Sequence, residues 1–222
     1  MQHLKLKSEW PIRASECRAL QNQLADQVKL RPHRGVIRWI GGVDVGFPGR
    51  GRQTLAALTL LNADTLALEY SARAVLPTRM AYIPGLLSFR ELPAVLEALA
   101  CLPVAPDLLM VDGQGIAHPR GIGTASHLGL VSGIPAIGVG KSRLVGTFDA
   151  PDQVGKACRM YHNGVHIGYV LKSRARANPL FISPGHGIDP DQALDWVRYT
   201  LTGYRLPKPT RLADFLSRDR LR

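Results

Sequence analysis

Three carboxylates in this 222-residue chain stand in settings that ordinary folding does not favour. Asp44 lies inside the apolar run Ile40-Gly41-Gly42-Val43-Asp44-Val45-Gly46-Phe47. A carboxylate there is costly unless it is paired or bound to a metal, and the glycines leave room for another group to come close. Strand alternation puts Asp44 on the face opposite Val43 and Val45, a placement that a solvent-facing strand position would also give. Asp112 closes a second apolar run, Leu108-Leu109-Met110-Val111, and precedes Gly113-Gln114-Gly115. That pattern is a buried strand whose last residue emerges at a turn. A turn aspartate bonding its own backbone has the same local signature. Glu91 is the third acid. Ser88-Phe89-Arg90-Glu91 fits a capping box, but Pro93 would then fall where a helical N–H is needed. A helix starting near Glu91 or Leu92, with Pro93 in its first turn, frees the Glu91 side chain.

Cationic and imidazole groups follow the second acid. His118-Pro119-Arg120 comes after the glycine turn, and Lys141 comes after a further apolar strand, 134–139. Ligands of open α/β sheets sit beyond the carboxyl ends of strands, so Asp112, His118, Arg120 and Lys141 are expected at one edge. Gly140-Lys141-Ser142 matches the end of a nucleotide-binding loop, yet that motif needs glycine at position 135, where Pro135 stands. A nucleoside triphosphatase is therefore excluded. Carboxylates from separate elements suit Mg²⁺ or Mn²⁺, hard cations that take oxygen ligands and keep waters for a phosphate substrate. Lys and Arg outnumber Asp and Glu by 28 to 17, a net charge of +11, which favours a polyanionic partner, nucleic acid above all. The basic field would hold the backbone and the acids the metal.

The elements that must position these groups can be read in order. Ser15 to Leu30 carries Leu20, Leu24 and Val28 on one helical face. Strand candidates follow at 36–47, 54–61 and 66–75, the last two joined by Asn62-Ala63-Asp64-Thr65 as an antiparallel hairpin. Residues 92–102 form a helical face and Thr124 to Leu130 a helix. Asn163-Gly164 joins two strands, 156–161 and 165–172; 179–183 is another, and Asp189-Pro190 caps a helix to about Leu201. The tail from Arg205 to Asp214 is basic and proline-stiffened. Three early strands followed by alternating helices and strands indicate a mixed sheet in an α/β protein. Without repeats or a linker, the chain 1–222 is expected to form one domain. Cys17, Cys101 and Cys158 have no zinc spacing and suit reduced thiols. Met1 to Trp10 has no signal-peptide core and no run approaches a membrane span, so a cytoplasmic protein is expected.

With these residues in place, the chain resembles the endonuclease V (deoxyinosine 3′-endonuclease) family over nearly its whole length. The motifs are Gly42-Val43-Asp44-Val45, the stretch Tyr82-Ile83-Pro84-Gly85-Leu86-Leu87-Ser88-Phe89-Arg90-Glu91, and Val111-Asp112-Gly113. Ala117-His118-Pro119-Arg120, Ala125-Ser126-His127-Leu128-Gly129, Ile137-Gly138-Val139-Gly140-Lys141-Ser142 and Pro209-Thr210-Arg211-Leu212-Ala213-Asp214 complete the set.

The resemblance implies a ribonuclease H-like mixed sheet with antiparallel first strands, flanked by helices. It implies a Mg²⁺-dependent repair nuclease, with Mn²⁺ able to substitute. Such an enzyme recognises deoxyinosine and cuts the second phosphodiester on its 3′ side, leaving 3′-hydroxyl and 5′-phosphate ends. By the same likeness Asp44, Glu91 and Asp112 hold the metal, Lys141 steers the phosphate or the attacking water, and His118 lies near the cut phosphate. Asp214 corresponds to a C-terminal site position and an outer metal contact. Tyr82-Ile83-Pro84 resembles a wedge inserted at the lesion, with apolar surface set on a proline-stiffened loop. Gly85, Leu87, Gly113, Gly115, Ile122 and Gly123 are candidates to line a pocket for a flipped base, and Arg120 joins them on the substrate side. The expected partner is inosine-containing DNA, bound by a monomer, with no membrane. The chain departs from the family pattern at Ala81, at Val45-Gly46-Phe47 and at Gln114. These bear on wedge stiffness and lesion selectivity, not on hydrolysis. Cleavage of inosine-containing RNA and an inert nucleic-acid-binding module remain as alternatives, since telling ribose from deoxyribose rests on contacts to the 2′-hydroxyl. A glycosylase has no need of a three-acid metal site.

Overall fold

The computed structural model describes residues 10–218, so all of the N-terminal stretch assessed above except Trp10 lies outside the described residues. Its frame is a nine-stranded sheet in the order β3-β2-β1-β4-β5-β9-β8-β7-β6. β1 (Trp39–Gly46), β2 (Gln53–Asn62) and β3 (Leu68–Pro77) form an antiparallel meander. β4 (Leu108–Val111) and β5 (Ala136–Gly140) add on to β1 in parallel. β9 (Leu180–Pro184), β8 (Val165–Leu171), β7 (Ala157–His162) and the short β6 (Thr147–Phe148) continue antiparallel. The mixed sheet with antiparallel first strands agrees with the sequence reading.

The turn chemistry explains the hairpins. The Asn62 side chain accepts from the backbone N–H groups of Asp64 and Thr65, fixing the β2–β3 turn. Asn163 and Gly164 both take positive φ, as a two-residue hairpin turn requires.

Helices cover both faces. α2 (Leu87–Ala100) and α3 (Thr124–Ser132) seal one face, where Val43, Leu58, Val111, Leu92, Val95 and Leu128 meet. α4 (Pro190–Tyr199) seals the other against Ile40, Met110 and Ile182, while α1 (Ala14–Ala25) lies over the entry to α2. Among the described residues no helix is long and apolar enough to cross a membrane.

Three local readings differ from the structure, and one short strand has no counterpart among the sequence readings. α1 ends at Ala25, before Val28, and its buried residues are Cys17 and Gln21, not the Leu20–Leu24 stripe, which is half-buried. α2 begins at Leu87, so Pro93 sits inside it. The missing hydrogen bond is tolerated because Leu92, Ala94, Val95, Leu96 and Ala98 are all buried, and tertiary packing holds the helix. The proline-stiffened tail is α5 (Lys208–Ser217): Pro209 falls in its first turn, where the fixed φ of proline suits a helix. β6 is only two residues long and carries no period to be read.

Candidate active site

Glycines in β1 decide how the site is built. A side chain at Gly42 would collide with the carbonyl of Pro209, and one at Gly46 with the carbonyl of Ser217. These are the two ends of α5. Four strand residues span about 13 Å, and eight helical residues about 12 Å, so α5 lies along β1 from Gly42 to Gly46 with its backbone nearly touching the strand. Thr59 of β2 fastens one end by donating to the Pro209 carbonyl at 3.1 Å. Asp44 lies between the two glycines on that same face, beneath the turn of α5 that carries Asp214 and Ser217.

The parallel register completes the cluster. Val43 is paired with Val111, and the N–H of Asp112 donates to the Val43 carbonyl at 2.9 Å. Asp44 and Asp112 therefore leave neighbouring strands side by side. Carboxylate oxygens of Asp44, Asp112 and Asp214 all lie within 4.8 Å of one another. Lys141, immediately after β5, pairs with Asp112 and reaches Asp214 at 2.9 Å. Ser217 donates to Asp44, and Arg218 pairs with Asp214. Glu91 of α2 lines the same cavity of about 540 Å³, which Phe47 and Pro48 also line. The Arg90 guanidinium stacks over the Phe47 ring at 4.0 Å.

The electrostatics of this edge are unbalanced. Burial, then the hydrogen bond and charge of Asp112, push the Asp44 carboxyl up to about 7 despite Ser217 and Lys141. Burial, followed by the charges of Asp44 and Asp112, raises Glu91 well above the usual carboxylate range, with Arg90 and Thr124 opposing. Burial works against the Lys141 ammonium, but Asp112 and Asp214 outweigh it and hold the amine charged. A carboxyl held at about 7 beside further acids marks an edge short of cationic charge. An all-oxygen donor set of this kind fits a hard divalent ion, and the cluster can bind a metal.

His118 and Arg120 do not join the acids. Both turn toward Gly85, whose carbonyl accepts from Arg120 at 2.8 Å, Gln21 at 2.9 Å and His118 Nε2 at 3.0 Å. His118 Nδ1 accepts from the Arg120 N–H, which leaves the proton on Nε2. Burial and then Arg120 lower this ring to about 4, so it is a neutral donor. Gln21 closes the network by accepting from Arg120 Nε at 2.6 Å.

The remaining substrate-side candidates are spread around this network. Tyr82 is 64% exposed at the rim of the loop that Gly85 ends, Pro84 is exposed beside it, and Ile83 is half-buried against the α1–α2 cluster. Leu87 and Gly113 are half-buried. Gly115, Ile122 and Gly123 are buried, and the two glycines are explained by backbone approach, to the Pro184 and Gln114 carbonyls respectively.

Sequence reasoning missed Gln21, Ser217 and Arg218. The last two share one helical face with Asp214 at i+3 and i+4, a signal available once the tail is read as a helix.

A family model described as endonuclease V matches residues 22–215. An endonuclease V of Xanthomonas campestris is 50% identical over 213 residues, 95% of this chain and 90% of that protein. The structure of an endonuclease V from Streptomyces avermitilis superposes with a TM-score of 0.88 at 38% identity, covering 94% of this chain and 93% of that one. A Ciona intestinalis endonuclease V, solved with DNA containing an inosine followed by a ribo-adenosine, shares the fold at a TM-score of 0.81 and 23% identity, covering 93% and 97%.

Proposed function

Because this chain belongs to the endonuclease V family, we propose that it is a Mg²⁺-dependent single-domain repair endonuclease that recognises deoxyinosine and hydrolyses the second phosphodiester on its 3′ side. The observation that carries the reading is the carboxylate cluster of Asp44, Asp112 and Asp214, with Lys141 seated against it at the end of the parallel strands. The Ciona relative bound to inosine-containing DNA supports the choice of substrate.

In this reading Asp44, Glu91 and Asp112 would hold Mg²⁺, with Asp214 as an outer contact and Mn²⁺ able to substitute for Mg²⁺. Bound there, the ion would supply Lewis acidity toward the phosphoryl oxygen and toward water. The protein does the rest. The Asp44 carboxyl, raised to about 7 by burial and the neighbouring Asp112, would come back down beside a held cation, and Glu91 would move in the same direction. Lys141 is aimed by Asp112 and Asp214 and offers its ammonium to the scissile phosphate. Water adds to phosphorus, the P–O3′ bond breaks, and the leaving oxygen takes a proton, giving 3′-hydroxyl and 5′-phosphate ends.

Tyr82, Ile83 and Pro84 form the wedge, and the exposed Tyr82 is free to stack on an unpaired base. Gly85, Leu87 and Gly113 present backbone and apolar surface to the flipped base, with Gly115, Ile122 and Gly123 supporting them from beneath. His118 and Arg120 act through the loop by holding the Gly85 carbonyl.

The test is cleavage of end-labelled duplex DNA with one deoxyinosine, against matched DNA with adenine, in Mg²⁺ or in EDTA. A single Mg²⁺-dependent nick 3′ of the inosine is expected. Cutting only an inosine-containing RNA would move the substrate class and keep the chemistry. Binding without cutting on either would sink the nuclease reading in favour of an inert binding module.

A further inference from the structure

A second polar cavity lies at the opposite end of the sheet. It has a volume of about 510 Å³ and is lined by Arg31, His33, Arg34, Pro135 and His186, with no carboxylate among its lining residues. Pro135 immediately precedes β5 and Lys141 immediately follows it, so the two cavities are separated by roughly 16 Å of strand.

The loop that carries the arginines is fastened on both sides. The His33 N–H donates to the Gln192 side chain at 2.6 Å, and the Gln192 amide returns a bond to the His33 carbonyl at 3.1 Å. The Gly187 N–H donates to the Lys29 carbonyl at 2.8 Å, and the Lys29 N–H donates to His186 Nδ1 at 3.3 Å. That last bond leaves the His186 proton on Nε2. Among the described residues, Lys29, Arg31 and Arg34 form no ion pair. Burial, then the charges of Lys29 and Arg31, lower the His186 pKa, the mark of a one-signed field. Unpaired guanidinium forks on an anchored loop beside a fixed N–H donor match the oxygens of a phosphate group.

We propose that this cavity is a second phosphate-binding site, remote from the carboxylate cluster, that takes a phosphodiester of a bound nucleic acid or a free phosphate ion. It adds electrostatic affinity and no chemistry.

The test uses the full chain and two variants, Arg31→Ala/Arg34→Ala and Arg31→Lys/Arg34→Lys. One arm titrates inorganic phosphate in metal-free buffer and follows the His186 Nε2–H resonance. The other measures how affinity for a long inosine-containing duplex falls with salt. The alanine variant should lose the phosphate-induced shift of His186. Its salt slope should flatten by about 0.9 for each phosphate that is no longer neutralised, with cleavage at saturating substrate unchanged, while the lysine variant keeps most of the slope. Loss of the phosphate shift with an unaltered slope would assign the site to free phosphate. If the alanine variant shows neither the lost phosphate shift nor a flattened slope, the proposal is overturned. The phosphate arm needs no nucleic acid, so it decides the cavity even if the nuclease reading fails.

Discussion

The carboxylate edge and the network around Gly85 are both clusters of polar groups drawn partly or wholly out of water, and they are wired in opposite ways. Around Gly85, three donors meet one carbonyl, Gln21 answers Arg120, and His118 is held neutral with both ring nitrogens engaged. At the edge, acids crowd together until Asp44 is pushed to about 7 and Glu91 rises with it, while Lys141 is shared between Asp112 and Asp214. A satisfied network rigidifies a fold; an unsatisfied one waits for a ligand. The first region should therefore fail by unfolding or loosening, and the second by losing chemistry while the fold stands.

The largest expected effect tests that division directly. Asp44→Asn and Asp112→Asn should each lower the single-turnover cleavage rate by about a thousandfold or more, as expected when several kcal/mol of transition-state stabilisation is removed. Asp44→Asn should leave the melting temperature unchanged or higher, because it removes a carboxylate that burial and Asp112 already disfavour. A clear fall in melting temperature at neutral pH would break the comparison.

Acid titration in EDTA separates the buried imidazoles, His118 of the Gly85 network and His127 against Ser88, from the carboxylate edge by sign. Burial lowers His127 to about 4, and burial followed by Arg120 lowers His118 to a similar value. Their folded values lie below the unfolded value near 6.5. Their contribution is thus whole above about 6.5 and is lost as pH falls toward 4, by up to about 3 kcal/mol for each ring. Asp44 runs the other way. Its raised carboxyl is a penalty above about 7 that is relieved as pH falls through the same window. Chemical denaturation of His127→Gln should show less loss of stability between pH 6.5 and 4.5 than the parent, and Asp44→Asn should show more. Parallel curves for all three proteins would refute these assignments.

A smaller stability change is expected at Gln21. Gln21→Leu keeps the volume but removes one donor from Gly85 and the acceptor of Arg120 Nε, a loss of about 1–3 kcal/mol. At roughly 2–4 °C per kcal/mol for a chain of this length, the melting point should fall measurably. The same substitution should lower the preference for inosine over adenine, with Mg²⁺ affinity retained. An unchanged melting point would mean that the network is ornamental.

Gln21 also marks where sequence reading stops. Asp44 and Asp112 were legible because each sits in a local apolar run whose period and turn define a strand and its exit. The parallel register that sets Val43 against Val111, and so the two acids side by side, is a long-range contact that neither run encodes. Asp214 was legible as a position only through family resemblance. Its place in the cluster depends on α5, which Lys208-Pro209 disguised as an extended tail, and on Gly42 and Gly46 meeting its two ends. Gln21 meets Gly85 across 64 positions and Ile122 across 101, and no local pattern encodes such partners. His118 teaches the converse. Its motif was plain, but the direction of its ring was not.

Tyr82 gives the smallest stability effect and the cleanest separation between the regions. The ring is 64% exposed and sits on a loop whose anchor is the Gly85 carbonyl, three residues on, not the ring itself. Tyr82→Ala should change stability by no more than about 0.5 kcal/mol, the ordinary range for a surface substitution. Mg²⁺ affinity should not change, because Tyr82 is not among the residues that line the carboxylate cavity. Stacking on an exposed base is worth about 1–3 kcal/mol, so cleavage of the inosine duplex at limiting substrate should fall by about tenfold, while cutting of an already unpaired inosine strand is spared. Competing duplex and single-stranded inosine substrates in one reaction measures this difference directly. Equal loss on both would mean that Tyr82 only adds affinity, and the wedge would have to be sought in Ile83, which the loop holds half-buried behind it.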